Sequence, residues 1–210
     1  MQEHPLLMQG PLVRAILEGR KTQTRRPVKP QPNLTPHMEP VRPEPRDGGR
    51  WVFMTHTDRP SYSWAMGDVL CPFGRAGDRL WVRETWTAAM HEPKGPADCL
   101  YRADDNRGVE DLAEARWTPS IHMPRWACRL VLPLVSVRVE RVQDITEDDA
   151  RAEGLRRTEN GWTDGATGYD VTSARAAFQE LWASIYGQAS WDVNPWVWVA
   201  EWKEIEVGKT

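Results

Sequence analysis

The 210-residue chain has few cysteines and no long apolar stretch. Its three cysteines, Cys71, Cys99 and Cys128, lie far apart, and neither a Cys-x-x-Cys pair nor a Cys/His cluster occurs. The sequence therefore predicts no disulfide framework and no metal site. The longest uncharged run is much shorter than the roughly 20 apolar residues that a membrane-spanning helix needs, and the first residues lack the basic start and apolar core of a signal peptide. We expect a cytoplasmic protein without a membrane partner.

Motifs that indicate particular chemistries are also missing. The chain contains no Gly-rich phosphate loop, no His-Glu-x-x-His helix and no Ser-centred elbow, so no cofactor is expected. A net charge of -3 argues against broad electrostatic binding of duplex DNA. Phenylalanine is scarce, with three residues against twelve tryptophans. Tryptophan serves as a core anchor or as a platform on which a base stacks, and its abundance alone does not decide between these roles.

The apolar periodicity and the turn residues predict an α+β fold. Three short helices are expected, one opening at Gly10-Pro11, one that Thr146 caps, and one that Gly187 ends. The predicted helices cover about 10–17, 147–153 and 174–186, and the clearest strands cover about 77–86, 129–142 and 196–202. Several strands with Gly-Asp turns and only short helices are typical of a small, partly open β-barrel with flanking helices.

Two regions interrupt this pattern without suggesting a second domain. Eight prolines fall between Pro27 and Pro60, which predicts a long irregular insertion at about 27–66. A second, polar insertion is expected at about 91–118. We therefore predict a single domain over residues 1–210 with long loop insertions.

The most informative segment follows the first predicted helix. Residues 19–38 contain five Lys or Arg and no Asp or Glu, so a basic segment lies on a mildly acidic protein and favours a polar or anionic ligand. Within it, Lys21 and Thr24 are three residues apart. A threonine hydroxyl is a poor nucleophile without an adjacent base. A lysine can be that base if burial or neighbouring cations lower its pKa.

Geometry leaves this pairing open. Side chains three residues apart on a straight strand point to opposite faces, so Lys21 and Thr24 meet only if the segment bends. The alternative is that the two side chains do not meet. The segment is then a solvated basic loop whose Thr-x-Thr sequence favours β structure.

Glu153 is the second candidate catalytic residue. It is the last residue of its predicted helix, where the helix dipole disfavours negative charge and raises the pKa of a carboxyl group. A carboxyl with a raised pKa suits a general acid that protonates a departing amine. The alternative is an ordinary surface glutamate.

A looser group lies in the middle of the chain. Glu84 and Trp86 share one face of their predicted strand, where an acceptor and an aromatic plane would frame a planar base. His122 lies beside a turn that Pro124 restricts. A lone histidine is more often structural than catalytic, and the sequence alone leaves that choice open.

The basic segment resembles a known family signature. Gly19-x-Lys21-x-x-Thr24-x-Arg26 is similar to the Gly-x-Lys-x-x-Glu-x-Arg motif of the ASCH domain family, relatives of the PUA RNA-binding barrel. Thr24 stands where glutamate is usual. The Lys-Thr-x-Thr form is similar to that of a small bacterial family member that hydrolyses N4-acetylcytidine. Further stretches resemble longer ASCH proteins of phages and prophages: 10–29, 77–86, 119–129, 145–155 and 194–202.

The resemblance implies a PUA-like barrel and a metal-independent amidohydrolase acting on a modified nucleoside. It implies Lys21 as base, Thr24 as nucleophile and Glu153 as acid. Backbone N–H groups or Arg26 would stabilise the oxyanion. The remaining predicted substrate-binding residues are Glu84, Trp86 and His122. Two alternatives remain: a module or ribonuclease that binds single-stranded RNA, and a non-catalytic phage accessory protein. The oligomeric state is left open.

Overall fold

Short helices and strands alternate along the chain in a computed structural model that describes residues 1–32, 41–55, 64–104, 116–164 and 170–203. The α+β class predicted from sequence is confirmed. The elements are β1 (Glu3–Leu7), α1 (Gly10–Leu17), β2 (Gln23–Pro27), β3 (Val41–Pro45), β4 (Arg50–Thr55), β5 (Trp64–Leu70), β6 (Arg79–Arg83), β7 (Trp86–Ala88), β8 (Cys99–Tyr101), β9 (Val131–Arg141), α2 (Glu147–Ala152), β10 (Arg156–Arg157), β11 (Trp162–Thr163), α3 (Ala174–Tyr186), α4 (Gln188–Asp192) and β12 (Trp196–Trp202).

A five-stranded mixed sheet in the order β1-β6-β9-β12-β2 forms the centre of the fold. Strands β1 and β6 are parallel, and the other neighbours are antiparallel. The sequence of β12 is an almost unbroken apolar run because both of its faces are covered: residues 196–200 are all buried. Its register with β2 places Thr24 opposite Ala200 and Arg26 opposite Trp198.

The proline-rich insertion differs from the prediction. In place of an irregular loop, the described part of residues 27–66 contains β3, β4 and the start of β5, which form an antiparallel sheet in the order β3-β4-β5. The prolines of β3 are tolerated because β3 is an edge strand. From β4, Trp51 and Phe53 pack edge-on against Trp198 and Trp196 of the central sheet.

The predicted strand at 77–86 is divided. Strand β6 ends at Arg83, and β7 begins at Trp86 and pairs with β8 inside the predicted polar insertion. Residues 105–115 of that insertion lie outside the described residues. The described strands form separate open sheets without a closed barrel. Within the described ranges, no helix is long and apolar enough to cross a membrane.

The helices follow the local sequence signals. Pro11 lies in the first turn of α1, which buries Leu12, Val13 and Ile16. Thr146 and Asp149 form a reciprocal capping box at α2. Ser173 caps α3 by accepting a hydrogen bond from the backbone N–H of Ala176, and α3 buries an apolar face that includes Phe178, Leu181 and Trp182. These helix predictions are confirmed.

Candidate active site

The chain bends between α1 and β2, and the bend sets the position of Lys21. The backbone N–H groups of Arg20 and Lys21 both donate to Ala15 O at the end of α1. Lys21 then forms an isolated antiparallel bridge with Glu153 before β2 begins. Since Lys21 precedes the regular strand, the straight-strand geometry does not apply to it. Lys21 and Thr24 consequently line the same cavity.

The Lys21 ammonium group is enclosed by protein. Its side chain is 1% exposed, and Nζ lies 2.8 Å from both Glu153 Oε2 and the Glu153 carbonyl oxygen. Burial lowers the pKa of Lys21, because desolvation penalises the charged amine. Contact with Glu153 opposes that effect, and the charges of Arg26 and Arg25 reinforce it.

Glu153 is held where α2 ends. It is the C-cap residue of α2 and is 3% exposed. Its two carboxylate oxygens have different partners: Oε2 accepts from Lys21 Nζ at 2.8 Å, and Oε1 accepts from Arg25 Nη1 at 3.2 Å. The next residue, Gly154, has φ +98°, and a Cβ there would come within 2.9 Å of the Cβ atoms of Lys21 and Ala15. Glycine thus allows the close approach of Glu153 to the lysine.

The Thr24 hydroxyl has unused bonding capacity. Thr24 is 3% exposed, and its hydroxyl makes no hydrogen bond with any residue that the structure describes. The cavity beside it measures about 20 Å³, room for roughly one water molecule. One wall is polar and the other is apolar. The lining residues are Leu12, Lys21, Thr24, Arg25, Arg26, Glu153, Phe178, Leu181, Trp182, Ile185 and Tyr186.

Arg26 reaches the same cavity from β2. Its Nη1 donates to the Tyr186 hydroxyl at 3.3 Å, and its Nη2 donates to the Leu7 carbonyl oxygen at 2.7 Å. Tyr186 also packs against Trp182, with ring centroids 4.4 Å apart. Arg26 therefore ties the last turn of α3 to the central sheet over the cavity.

The structure places Glu84, Trp86 and His122 away from this cavity. Glu84 is bound by Arg129, whose Nε and Nη2 each lie 2.9 Å from a carboxylate oxygen. Trp86 belongs to a separate apolar cluster around Tyr101. His122 is exposed. The separation arises because the chain leaves the central sheet after Arg83 and enters the β7–β8 ladder.

Sequence reasoning missed the role of Arg25 and of α3 at the site. In the sequence, Arg25 is one of five cations in residues 19–38. In the structure, it contacts three carboxylates, those of Glu140, Asp149 and Glu153. The apolar stripe of α3 predicted burial of that face. The same stripe does not predict that this face of α3 covers a cavity.

The cations of residues 19–26 are engaged within the protein. Arg20 pairs with Glu18 and donates to the Gly154 carbonyl oxygen. Lys21 and Arg25 contact carboxylates, and Arg26 bonds Tyr186 and a backbone oxygen. The segment that is basic in sequence therefore offers little unpaired positive charge in the fold.

Comparison with known proteins identifies no similar protein. No protein-family model, curated protein or solved structure matches the chain. Among the residues that the structure describes, no group of three or more His, Cys, Asp or Glu side chains could hold a metal ion. The function of the site must therefore be inferred from its own contacts.

Proposed function

We propose that the chain is an amidohydrolase that removes the acyl group from an acylated nucleoside or base such as N4-acetylcytidine, on an ASCH-type, PUA-like scaffold. One observation carries the proposal: Lys21, Thr24 and Glu153 are buried around one cavity, with Lys21 Nζ 2.8 Å from Glu153 Oε2. A threonine nucleophile requires a nearby base, and that base requires a partner that orients it. Lys21 lines the same cavity as Thr24 and is held by Glu153.

In the first step, Thr24 Oγ1 attacks the amide carbonyl carbon. The hydroxyl proton passes to the neutral amine of Lys21 through the single water for which the cavity has room. Burial favours this step because it lowers the pKa of Lys21 and so increases the neutral fraction of the amine. The carbonyl π electrons move to oxygen, and Arg26 stabilises the resulting oxyanion once it leaves Tyr186.

In the second step, the tetrahedral intermediate collapses and the C–N bond breaks. Lys21 passes its proton to Glu153 across their 2.8 Å contact, and Glu153 protonates the departing amine. The acyl group remains on Thr24 as an ester. Water then attacks the ester and releases the carboxylic acid, and the Thr24 hydroxyl regains its proton. The overall reaction consumes one water and requires no other reactant.

The covered cavity supports a second candidate, a non-catalytic accessory protein. Room for roughly one water does not accommodate a nucleoside. For catalysis, a substrate has to displace the α3 side chains, above all Tyr186 at the end of that helix. If α3 never moves, the Lys21–Glu153 pair is a structural contact only. Binding of RNA phosphates by residues 19–26 is less favoured, because their cations already have partners in the fold.

Ultraviolet-monitored hydrolysis of N4-acetylcytidine separates these candidates. We expect turnover by the parent, loss of turnover in Thr24→Val, which keeps the side-chain shape without the hydroxyl, and partial retention in Thr24→Ser. Circular dichroism checks that each variant is folded. Full activity of Thr24→Val would exclude the threonine mechanism, and an inactive parent would favour the accessory protein.

A further inference from the structure

Arg25 is a fully enclosed charge that the proposed reaction does not use. Its side chain is 0% exposed. Its Nη2 lies 2.5 Å from Glu140 and 3.3 Å from Asp149, and its Nη1 lies 3.2 Å from Glu153 Oε1. Its guanidinium also lies 5.8 Å from the ring centroid of Phe178 on α3. A buried arginine of this kind persists only where its donors are matched by acceptors.

The fork of Arg25 joins three acceptors from different places in the chain. Glu140 is near the end of β9, Asp149 belongs to the capping box of α2, and Glu153 ends α2. Arg25 itself is in the middle of β2. The guanidinium thus fixes both ends of α2 to the central sheet, and with them the orientation of the Glu153 carboxylate.

We propose that Arg25 is a positioning residue for the Lys21–Glu153 pair, holding Glu153 Oε1 so that Oε2 stays on Lys21 Nζ. This inference rests on the proposed function, because it assigns Arg25 a part in preparing that pair for proton transfer. Arg25 does not touch the reacting atoms.

The proposal has a consequence for the proton on Lys21. The charged and titratable groups around Lys21 are Glu153 from the end of α2, Arg25 and Arg26 from β2, and Tyr186 from α3. Loss of the Arg25 charge by itself raises the pKa of Lys21, because that charge disfavours the protonated amine. Release of Glu153 from Lys21 has the opposite sign, because the carboxylate stabilises the protonated amine.

Three variants test this assignment. Arg25→Gln removes the charge, Arg25→Lys keeps a charge but loses the fork, and Arg138→Gln is the matched control. Arg138 contacts the same Glu140 and Asp149 carboxylates without contacting Glu153. The chain has only five lysines, so Lys21 can be assigned in NMR titrations of labelled lysine by comparison with Lys21→Met.

We expect Arg25→Lys to lower the pKa of Lys21, because the charge remains while Glu153 loses the fork that holds it against the amine. Arg25→Gln should give a higher Lys21 pKa than Arg25→Lys, because it also removes the charge that disfavours the protonated amine. Arg138→Gln should leave the pKa of Lys21 close to that of the parent. In active protein, the acidic limb of the kcat/KM profile should move with the pKa of Lys21 while KM stays constant. If Arg25→Gln does not fold, Arg25→Lys and Arg138→Gln suffice for the comparison.

An unchanged Lys21 pKa in folded Arg25→Lys would overturn the assignment even if the parent hydrolyses its substrate. A lowered Lys21 pKa in Arg25→Lys, with a parent that shows no turnover, would support the positioning of the pair and would count against the proposed reaction. The two inferences therefore fail separately.

Discussion

Two ion pairs among the described residues, Arg129–Glu84 and Lys21–Glu153, each bury a carboxylate but differ in their chemistry. Arg129 binds both oxygens of Glu84 at 2.9 Å, contacts Asp104 at 2.8 Å and lies 3.9 Å from the ring centroid of Tyr101. Burial alone would lower the pKa of Arg129, but its hydrogen bonds with the two carboxylates outweigh that effect and raise it. Both oxygens of Glu84 are thus occupied, and the pair joins the segment before β9 to the chain between β6 and β7.

The Lys21–Glu153 pair has a different balance. One Glu153 carboxylate oxygen contacts Lys21 and the other contacts Arg25. The pair lines a cavity together with Thr24, whose hydroxyl makes no hydrogen bond within the described ranges. Burial dominates the lysine and lowers its pKa. The comparison teaches that enclosure alone does not distinguish the pair that we propose to react. The adjoining cavity and the lowered pKa of Lys21 do.

The largest expected effect is on the reactive side of this comparison. Lys21→Met keeps an unbranched side chain in the same space but removes the base. We expect turnover of N4-acetylcytidine to fall by about 10³-fold, within the range for loss of a general base. Steady-state kinetics on the folded variant provide the measurement. If turnover stays within a few-fold of the parent, Lys21–Glu153 is a structural ion pair like Arg129–Glu84.

Arg129→Met tests the Arg129–Glu84 side of the comparison. Removal of the arginine leaves Glu84, which is 1% exposed, as an unpaired buried carboxylate. We expect the free energy of unfolding to fall by about 3–5 kcal/mol, measured by urea denaturation. Turnover per folded molecule should not change. A large loss of turnover in a folded Arg129→Met variant would instead connect Glu84 with the active site, as the sequence had suggested.

Elements with strong local patterns could be predicted from the sequence. Helix α3 and strand β12 have the predicted bounds, because a 3.6-residue stripe and an unbroken apolar run are both visible within a short window. The capping box of α2 was also recognisable, since it depends on two residues three apart.

Features that depend on distant partners could not be predicted. Arg25 contacts residues 115 and 128 positions away, and Glu84 contacts Arg129 45 positions away. No local pattern records such pairings. The strands of the proline-rich insertion could not be predicted for a related reason. Strand β4 is stabilised by contacts of Trp51 and Phe53 with β12, which is distant in sequence.

A smaller effect is expected from Gly154, which brings Glu153 close to Lys21. Gly154→Ala adds a methyl group 2.9 Å from two Cβ atoms at φ +98°. Gly77→Ala is the matched control, because Gly77 has φ +92° with no atom within 4 Å of an added Cβ. We expect Gly154→Ala to lose about 1–3 kcal/mol more stability than the control, the usual cost of overpacking. Urea denaturation measures the free energy of unfolding of both variants. Equal losses would show that the backbone conformation alone, and not the close contacts, requires glycine at position 154.

The smallest effect concerns Asp149 and depends on pH. Burial would raise the pKa of Asp149, but hydrogen bonds from Thr146 and the charge of Arg25 outweigh it and lower the pKa. A lowered carboxyl pKa stabilises the fold above its unfolded value, 3.8, and this stabilisation is lost as the pH falls through the folded value. Asp149→Asn should therefore cost about 1 kcal/mol at pH 7, the usual value of a helix cap.

The cost of Asp149→Asn should shrink near pH 3, because protonation begins to make the parent resemble the variant. Urea denaturation at the two pH values measures the difference. Asp148→Asn is the control on the same helix: that side chain is 91% exposed and pairs only with Arg151 among the described residues, so its substitution should change stability by less than about 0.5 kcal/mol. A cost for Asp149→Asn that is the same at both pH values would mean that Asp149 acts through its shape. The charge of Arg25 would then be balanced by Glu140 and Glu153 alone, and the Lys21–Glu153 pair would depend on fewer contacts than the structure suggests.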